Sequence, residues 1–298
     1  MTYEEFAQEI YRNIKKTLKG EYSVKMEELL KCNDCRKKQL IMERKGRGGK
    51  VTAKPSVGLE SFYEQYRSGG SVSECVRAIL QLLKEAEEQA EAEQWCGILE
   101  TWESAKTRVY PILLSQSRNQ ELLQELVWTP FLDLAVCYVV MISMENGQGN
   151  VKIRNTHLAT WGISEEELIA QAKKNNLEQG YSLKRLDELA RNTLMGEETA
   201  NVNTIEEGEM FVLTNKDICY GAAKLLCEPA LKTLSGGRDF YILPSSLHEV
   251  ILLPEVSKVE KEDLNRMIRE VNKTMVAEDD ILSDHAYFYC AKNGRVEL

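Results

Sequence analysis

The side chains able to do chemistry are few enough to weigh one by one. The chain carries three histidines, at 157, 248 and 285, and eight cysteines, at 32, 35, 75, 96, 137, 219, 227 and 290. Cys32-Asn33-Asp34-Cys35 is a CxxC motif. A structural zinc site needs four ligands, usually as two such pairs. No second pair is present and the histidines are scattered, so Cys32 and Cys35 are weak metal candidates and no metal is expected. A redox pair needs the first cysteine at a helix start inside a thioredoxin-like unit, and Cys32 follows an expected strand. Ordinary turn cysteines are the favoured reading.

Pro244-Ser245-Ser246-Leu247-His248-Glu249 gathers more potential chemistry than any other stretch. His248-Glu249 lacks the second histidine of HExxH, since position 252 is Leu, and the segment reads as a strand. A serine nucleophile elbow needs GxSxG on a strand-to-helix turn, whereas this segment joins two strands. The structural reading, in which serine hydroxyls and the imidazole satisfy backbone groups of a hairpin loop, is favoured. Pro244, Ser245, Ser246, His248 and Glu249 are kept as a candidate functional surface, and no catalytic residue is assigned. Neither GxGxxG nor GxxxxGK[ST] occurs, so no phosphate loop and no cofactor is expected. The acid pairs Asp187/Glu188, Glu197/Glu198, Glu206/Glu207 and Asp279/Asp280 sit in polar surroundings and read as solvated faces.

The elements that must position these groups centre on residues 211–254. Short apolar runs at 211–213, 221–226, 240–243 and 250–253 are bounded by turn signals, the pattern of buried strands. Residues 227–234, with Pro229 near the start and Gly236-Gly237 at the end, read as a short helix. The expected order is strand, strand, helix, strand, strand, the last two forming a hairpin. Upstream, helical spacing marks residues 3–18. Strands are expected at 22–30 and 39–44, a turn at 47–49, an extended stretch over 51–59 and a short helix at 60–67. Ser71-x-x-Glu74 opens a helix as a capping box. Residues 108–115 read as a strand and 117–126 as a short helix. Residues 131–142 (FLDLAVCYVVMI) read as one continuous buried strand. Ser164-x-x-Glu167 caps another helix, 182–194 reads as a further one, 196–209 as an acidic loop, 257–275 as a last helix and 284–290 as a terminal strand. Hairpins are frequent and no βαβ unit repeats, which gives an α+β fold with mainly antiparallel sheet and several flanking helices.

Bulk properties narrow the function classes. The 298 residues are 43% hydrophobic and 29% charged, with a net charge of −9. That charge disfavours nucleic acid. The basic stretch 36–54 reads as a solvated hairpin edge whose lysines discourage pairing. The longest apolar run, 134–142, is far short of the roughly 20 residues of a membrane span, and no signal segment opens the chain. A cytoplasmic protein with free thiols is expected.

Several segments converge on one family. Residues 53–69 (AKPSVGLESFYEQYRSG), 131–138 (FLDLAVCY), 155–162 (NTHLATWG), 211–221 (FVLTNKDICYG) and 239–254 (DFYILPSSLHEVILLP) resemble the successive signatures of the uncharacterised bacterial family called domain of unknown function 5688. Val271-Asn272 and Leu282-Ser283-Asp284 with Tyr287 and Tyr289 are similar to its C-terminal pattern. The resemblance implies one family unit over most of the chain and a bacterial cytosolic origin, and it implies no activity. The family's most distinctive segment corresponds to Leu243, Pro244, Ser245, Ser246, His248 and Glu249; the CxxC at 32–35 departs from it. Two organisations stay open: an N-terminal α/β segment over 1–95 with an α+β domain over 96–298, or one unit over 1–298. The favoured function is a non-enzymatic protein-binding or regulatory module with a partner protein. The alternative is an enzyme with an unrecognised site around the Pro-Ser-Ser-Leu-His-Glu hairpin.

Overall fold

The computed structural model describes residues 1–18, 20, 22–44, 56–92, 95–144, 147–254 and 259–298. The fold is α+β, with three antiparallel sheets among the described residues. Two compact units are present: Met1–Lys31 with Cys35–Ser104, and Cys32–Asp34 with Ala105–Leu298.

In the first unit, α1 (Tyr3–Thr17) starts with a capping box in which Thr2 and Glu5 satisfy each other's backbone amides. Its Phe6, Ile10 and Ile14 recur every four residues and are fully buried. They meet Leu40 and Met42 from the antiparallel strands β1 (Tyr22–Leu30) and β2 (Arg36–Arg44), which β3 (Ser56–Gly58) extends. Helices α2 (Glu60–Arg67) and α3 (Val72–Ala92) complete this core, with Cys75, Ile79 and Leu83 facing inward. The Ser71–Glu74 capping box at the start of α3 is formed as the sequence predicts. Two short helices follow, α4 (Trp95–Ile98) and α5 (Trp102–Ala105). The turn expected at 47–49, and much of the basic stretch 36–54, lie outside the described residues.

The second unit holds two sheets. In one, β6 (Leu134–Met144) is central, with β4 (Val109–Ser115) on one side and β5 (Trp128–Phe131) and β7 (Gly147–Lys152) on the other. The continuous strand expected over 131–142 is therefore two strands. Leu132 takes a left-handed backbone, φ 56, and turns β5 back on β6. Helices α6 (Asn155–Trp161) and α7 (Glu165–Gln179) follow; the Ser164 hydroxyl accepts the Glu167 amide and caps α7.

The other sheet runs β13-β12-β10-β11-β9-β8. Its strands are β8 (Ser182–Arg185), β9 (Phe211–Thr214), β10 (Phe240–Pro244), β11 (Val250–Pro254), β12 (Tyr287–Cys290) and β13 (Arg295–Glu297), with α8 (Leu186–Met195), α9 (Glu228–Ser235) and α10 (Lys261–Thr274) between them. The helix expected over 182–194 begins as β8, because Ser182–Arg185 finds ladder partners in β9, and a paired edge outweighs local helix preference. The strand expected over 221–226 is a 3-10 helix, Gly221–Leu226. A short buried apolar run does not distinguish the two by periodicity. Burial of Lys224 there is accommodated by bonds from its Nζ to the Asn176 carbonyl and Oδ1, at 2.6 and 2.8 Å. The order is thus strand, 3-10 helix, helix, strand, strand. A final strand, β13, adds to the sheet beyond the terminal strand that the sequence predicts.

Candidate functional site

The loop between β10 and β11 carries the stretch singled out from sequence. Pairing of Pro244 with Val250 closes the ladder and leaves residues 245–249 to turn the chain. The Ser246 amide donates to the Glu249 carbonyl at 3.2 Å, and the Ser246 hydroxyl accepts the His248 amide at 3.0 Å. The Ser245 hydroxyl donates to the Glu249 carboxylate at 3.2 Å. Both serines are thus committed within the loop, as hairpin residues that satisfy backbone and neighbouring groups. Neither is directed at His248's ring. Leu247 is buried and its amide donates to the Asp280 carbonyl at 2.9 Å.

His248 points instead at two other segments. Its Nδ1 accepts the Tyr220 amide at 3.1 Å, and its Nε2 lies 3.4 Å from Asp280 Oδ1. The imidazole packs on the Tyr220 ring with centroids 5.4 Å apart. Its carbonyl accepts the Thr214 hydroxyl at 2.7 Å.

Local sequence explains how Cys219 and Tyr220 arrive there. After β9, the Asn215 side chain accepts the Cys219 amide and donates to the Cys219 carbonyl, closing a tight loop. Ile218 and Tyr220, on either side of Cys219, both hold left-handed backbones, φ 51 and 55. For residues with a Cβ that costs about 1–2 kcal/mol each. Gly221 then passes so close to its neighbours that a Cβ would sit 2.1 Å from Thr214 Oγ1 and 2.4 Å from the His248 carbonyl oxygen. Only glycine fits that crossing.

The Asp280 carboxylate and, after it, the nearby Cys219 raise the His248 pKa to about 9, against the opposing effect of burial. The Tyr220 amide also works against protonation, because an imidazolium has no lone pair left to accept it. With Nδ1 accepting, the neutral ring carries its proton on Nε2, facing Asp280.

A second titratable cluster was not marked in the sequence. His285 Nε2 lies 2.9 Å from Asp133 Oδ2, and the Tyr287 hydroxyl donates to Asp133 Oδ1 at 2.8 Å. Burial pushes the Asp133 carboxyl up, but the bonds from His285 and Tyr287 bring it below its ordinary value. Asp133 borders a cavity of about 420 Å³ with Gln116, Ser117 and Trp128. The sequence offered no signal for this cluster, since its members lie more than 150 residues apart.

The CxxC motif works through its middle residues. Asn33 Nδ2 donates to the Glu278 and Ile281 carbonyls at 2.7 and 2.8 Å. The Asn33 amide donates to Asn119 Oδ1 at 2.7 Å, and Asp34 accepts the Glu121 and Leu122 amides at 2.8 and 2.9 Å. Cys32 is buried, and burial raises its thiol pKa. Cys32 groups with the second unit and Cys35 with the first. Among the described residues, no group of three or more His, Cys, Asp or Glu side chains could hold a metal ion.

The second unit also contains a groove of about 650 Å³. Phe131, Tyr138, Leu177 and Leu226 form apolar walls, and Lys173, Arg295 and Glu228 supply charge. Pro130 of β5 lines it and brings no amide hydrogen. Among the described residues, no helix is long and apolar enough to cross a membrane.

A family model described as "Family of unknown function (DUF5688)" matches residues 3–291. No curated protein and no solved structure matches the chain. The chain belongs to that family of unknown function.

Proposed function

We propose, for this member of the family, a binding module whose groove takes a short segment of a partner protein, with apolar side chains beside a carboxylate. The groove carries this reading. Its volume of about 650 Å³ falls in the range of sites that enclose a ligand rather than a flat contact. Two cations, Lys173 and Arg295, face one acid, Glu228, in a chain whose net charge is −9. That local excess of positive charge favours a carboxylate next to apolar contacts. Pro130 withholds a strand-pairing donor, so side-chain contacts rather than an added strand would hold the segment. A cytoplasmic setting fits the free thiols of the described cysteines.

The test uses fluorescein-labelled decapeptides rich in Leu and Phe, ending either in Asp with a free carboxylate or in Asn amide, read by fluorescence polarisation. The carboxylate peptides should bind, the amides at least tenfold more weakly. Lys173→Glu/Arg295→Glu and Leu177→Arg should each lose binding by a similar factor. Equal binding of both peptide kinds, no binding, or binding indifferent to both variants would overturn the reading.

A further inference from the structure

We propose that the cavity beside Asp133 binds the ammonium group of an alkylamine, with the Asp133 carboxylate as counter-ion and Leu123 and Trp128 beside its hydrocarbon. The site is separate from the groove, since no residue that lines the cavity also lines the groove. Its volume of about 420 Å³ lies in the range of sites that enclose a small ligand. Asp133 brings the charge of the lining. Gln116, Ser117 and Gln120 are polar and neutral, and no Lys, Arg or His is among the described lining residues. A carboxylate without a cation beside it in the wall selects for positive charge. The oxygens of Gln116, Ser117 and Gln120 are acceptors for the remaining ammonium hydrogens. An indole next to a carboxylate favours a cation that carries apolar carbon.

Asp133 is held ready by residues far along the chain. The Tyr287 hydroxyl donates to Oδ1 at 2.8 Å, and His285 Nε2 lies 2.9 Å from Oδ2. An ionised carboxylate has about four lone-pair sites, so each oxygen keeps room for a donor from a ligand. Burial works against the charge, and the two bonds outweigh it. The Asp133 side chain is 42% exposed, which leaves it accessible. The backbone fixes it as well. Leu132, with its left-handed φ of 56, turns β5 into β6 just before Asp133, and the Gln116 amide donates to the Asp133 carbonyl at 3.3 Å. Residues 116–120, which supply much of the lining, are anchored through Asn119. That side chain is fully buried, and its Nδ2 donates to the Ser115 carbonyl and to Asn33 Oδ1 at 2.8 and 2.9 Å. Walls that are already ordered lower the entropy lost on binding.

His285 couples the site to protonation. The bond to Asp133 raises its pKa, against burial. With its proton on Nε2, the ring donates to Asp133 in both charge states. The charged ring neutralises the carboxylate, whereas the neutral ring leaves that negative charge to a ligand. The other charged and titratable groups around His285 are Tyr287, Asp284, paired with Arg118 at 2.6 Å, and Lys261, which lowers the His285 pKa. Linkage is reciprocal. An ammonium that binds better beside the neutral ring must lower the His285 pKa when it binds.

The experiment titrates the full, isotope-labelled chain with n-pentylamine and reads the Trp128 indole by NMR, the signal being assigned by its loss in Trp128→Phe. The amine should shift that signal saturably. Its neutral analogue n-pentanol should bind at least tenfold more weakly. Nα-acetyl-lysine methylamide carries the same ammonium on a peptide unit. Tighter binding than n-pentylamine would assign the site to a lysine side chain of a partner, and weaker binding to a free amine. Asp133→Asn should weaken n-pentylamine at least tenfold. Gln120→Lys, at an exposed position, leaves the Asp133 bonds intact, places a cation in the cavity and should weaken the amine by a similar factor. At saturating amine the ring signals of His285 should titrate at lower pH than in the free protein. No saturable shift, equal binding of amine and alcohol, binding indifferent to Gln120→Lys, or an unmoved His285 titration would overturn the proposal.

Discussion

Two polar turns of the second unit, more than 200 residues apart in the chain, hold the same short segment around the 3-10 turn Glu278–Asp280. At 32–34, the grip is uncharged: Asn33 donates its amide hydrogens to the Glu278 and Ile281 carbonyls. At 245–249, the grip adds a titratable pair: the Leu247 amide bonds the Asp280 carbonyl, while the His248 ring faces the Asp280 carboxylate. Neutral hydrogen bonds give a fixed attachment, since nothing in them changes protonation near neutrality. An imidazole–carboxylate contact leaves a proton to move and a ring nitrogen whose partner can change. The CxxC motif serves to anchor, through Asn33 and Asp34, while the hairpin loop, the candidate surface of the sequence, sets an imidazole against a carboxylate.

The sharpest break of this comparison is Gly221→Ala. A Cβ there collides with the Thr214 hydroxyl and the His248 carbonyl, so the crossing under the titratable grip must open. A loss on the order of 3 kcal/mol is expected in chemical denaturation. A loss under about 1 kcal/mol would mean that the crossing is not tightly enforced.

A buried ammonium in the adjacent 3-10 helix must be separated from the His248 titration. Lys224 is 1% exposed, and burial lowers its pKa to about 8. The unfolded chain, with a normal lysine, holds the proton up to about 10.5. The unfolded state therefore binds more protons between about pH 8 and 10.5, and stability should rise across that window by on the order of 3 kcal/mol. Subtracting the same curve for Lys224→Met should isolate the rise; parallel curves would remove it.

Asn33→Ala tests the uncharged grip. It deletes an exposed bond to the Glu278 carbonyl, a part-buried bond to the Ile281 carbonyl and the bond accepted from Asn119 Nδ2, and places alanine at φ 58. A loss of about 2 kcal/mol is expected, the same at pH 5 and pH 8, with faster hydrogen exchange at residues 278–281. Asn33→Gly should recover about 1 kcal/mol of that loss, because glycine tolerates the left-handed backbone. A pH-dependent loss would erase the contrast with the other turn.

Asp280→Asn gives the smallest effect on stability. The raised His248 pKa means that the folded state holds a proton the unfolded chain has released between about pH 6.5 and 9. The contribution is full below about pH 6.5 and fades as pH rises to about 9. The ring is partly exposed and the Tyr220 amide opposes protonation, so a shallow slope is expected, absent in Asp280→Asn. An NMR titration of His248 checks the same point directly.

Much of the scaffold was legible in the chain. Ser71–Glu74 and Ser164 cap helices because a hydroxyl accepting a nearby amide is a local event. The runs at 211–213, 240–243 and 250–253 form strands because short apolar segments between turn residues gain most by pairing inside a sheet. Less was legible where two solutions bury the same side chains. Residues 221–226 coil because Gly221 crosses the His248 carbonyl and Lys224 finds Asn176. Residues 182–185 join a sheet because β9 offers an edge.

The sequence by itself determined the α+β architecture, the hairpin at 244–250 and the presence of an imidazole in its loop. Only the tertiary structure decided what that imidazole touches. Hydrophobic periodicity and capping act over a few residues, so they can be read along the chain. The meeting of Tyr220, His248 and Asp280 depends on which loops the packed sheet brings together and on a glycine crossing that admits no side chain. No spacing rule encodes such a contact, because the energy that holds it is spread through the fold.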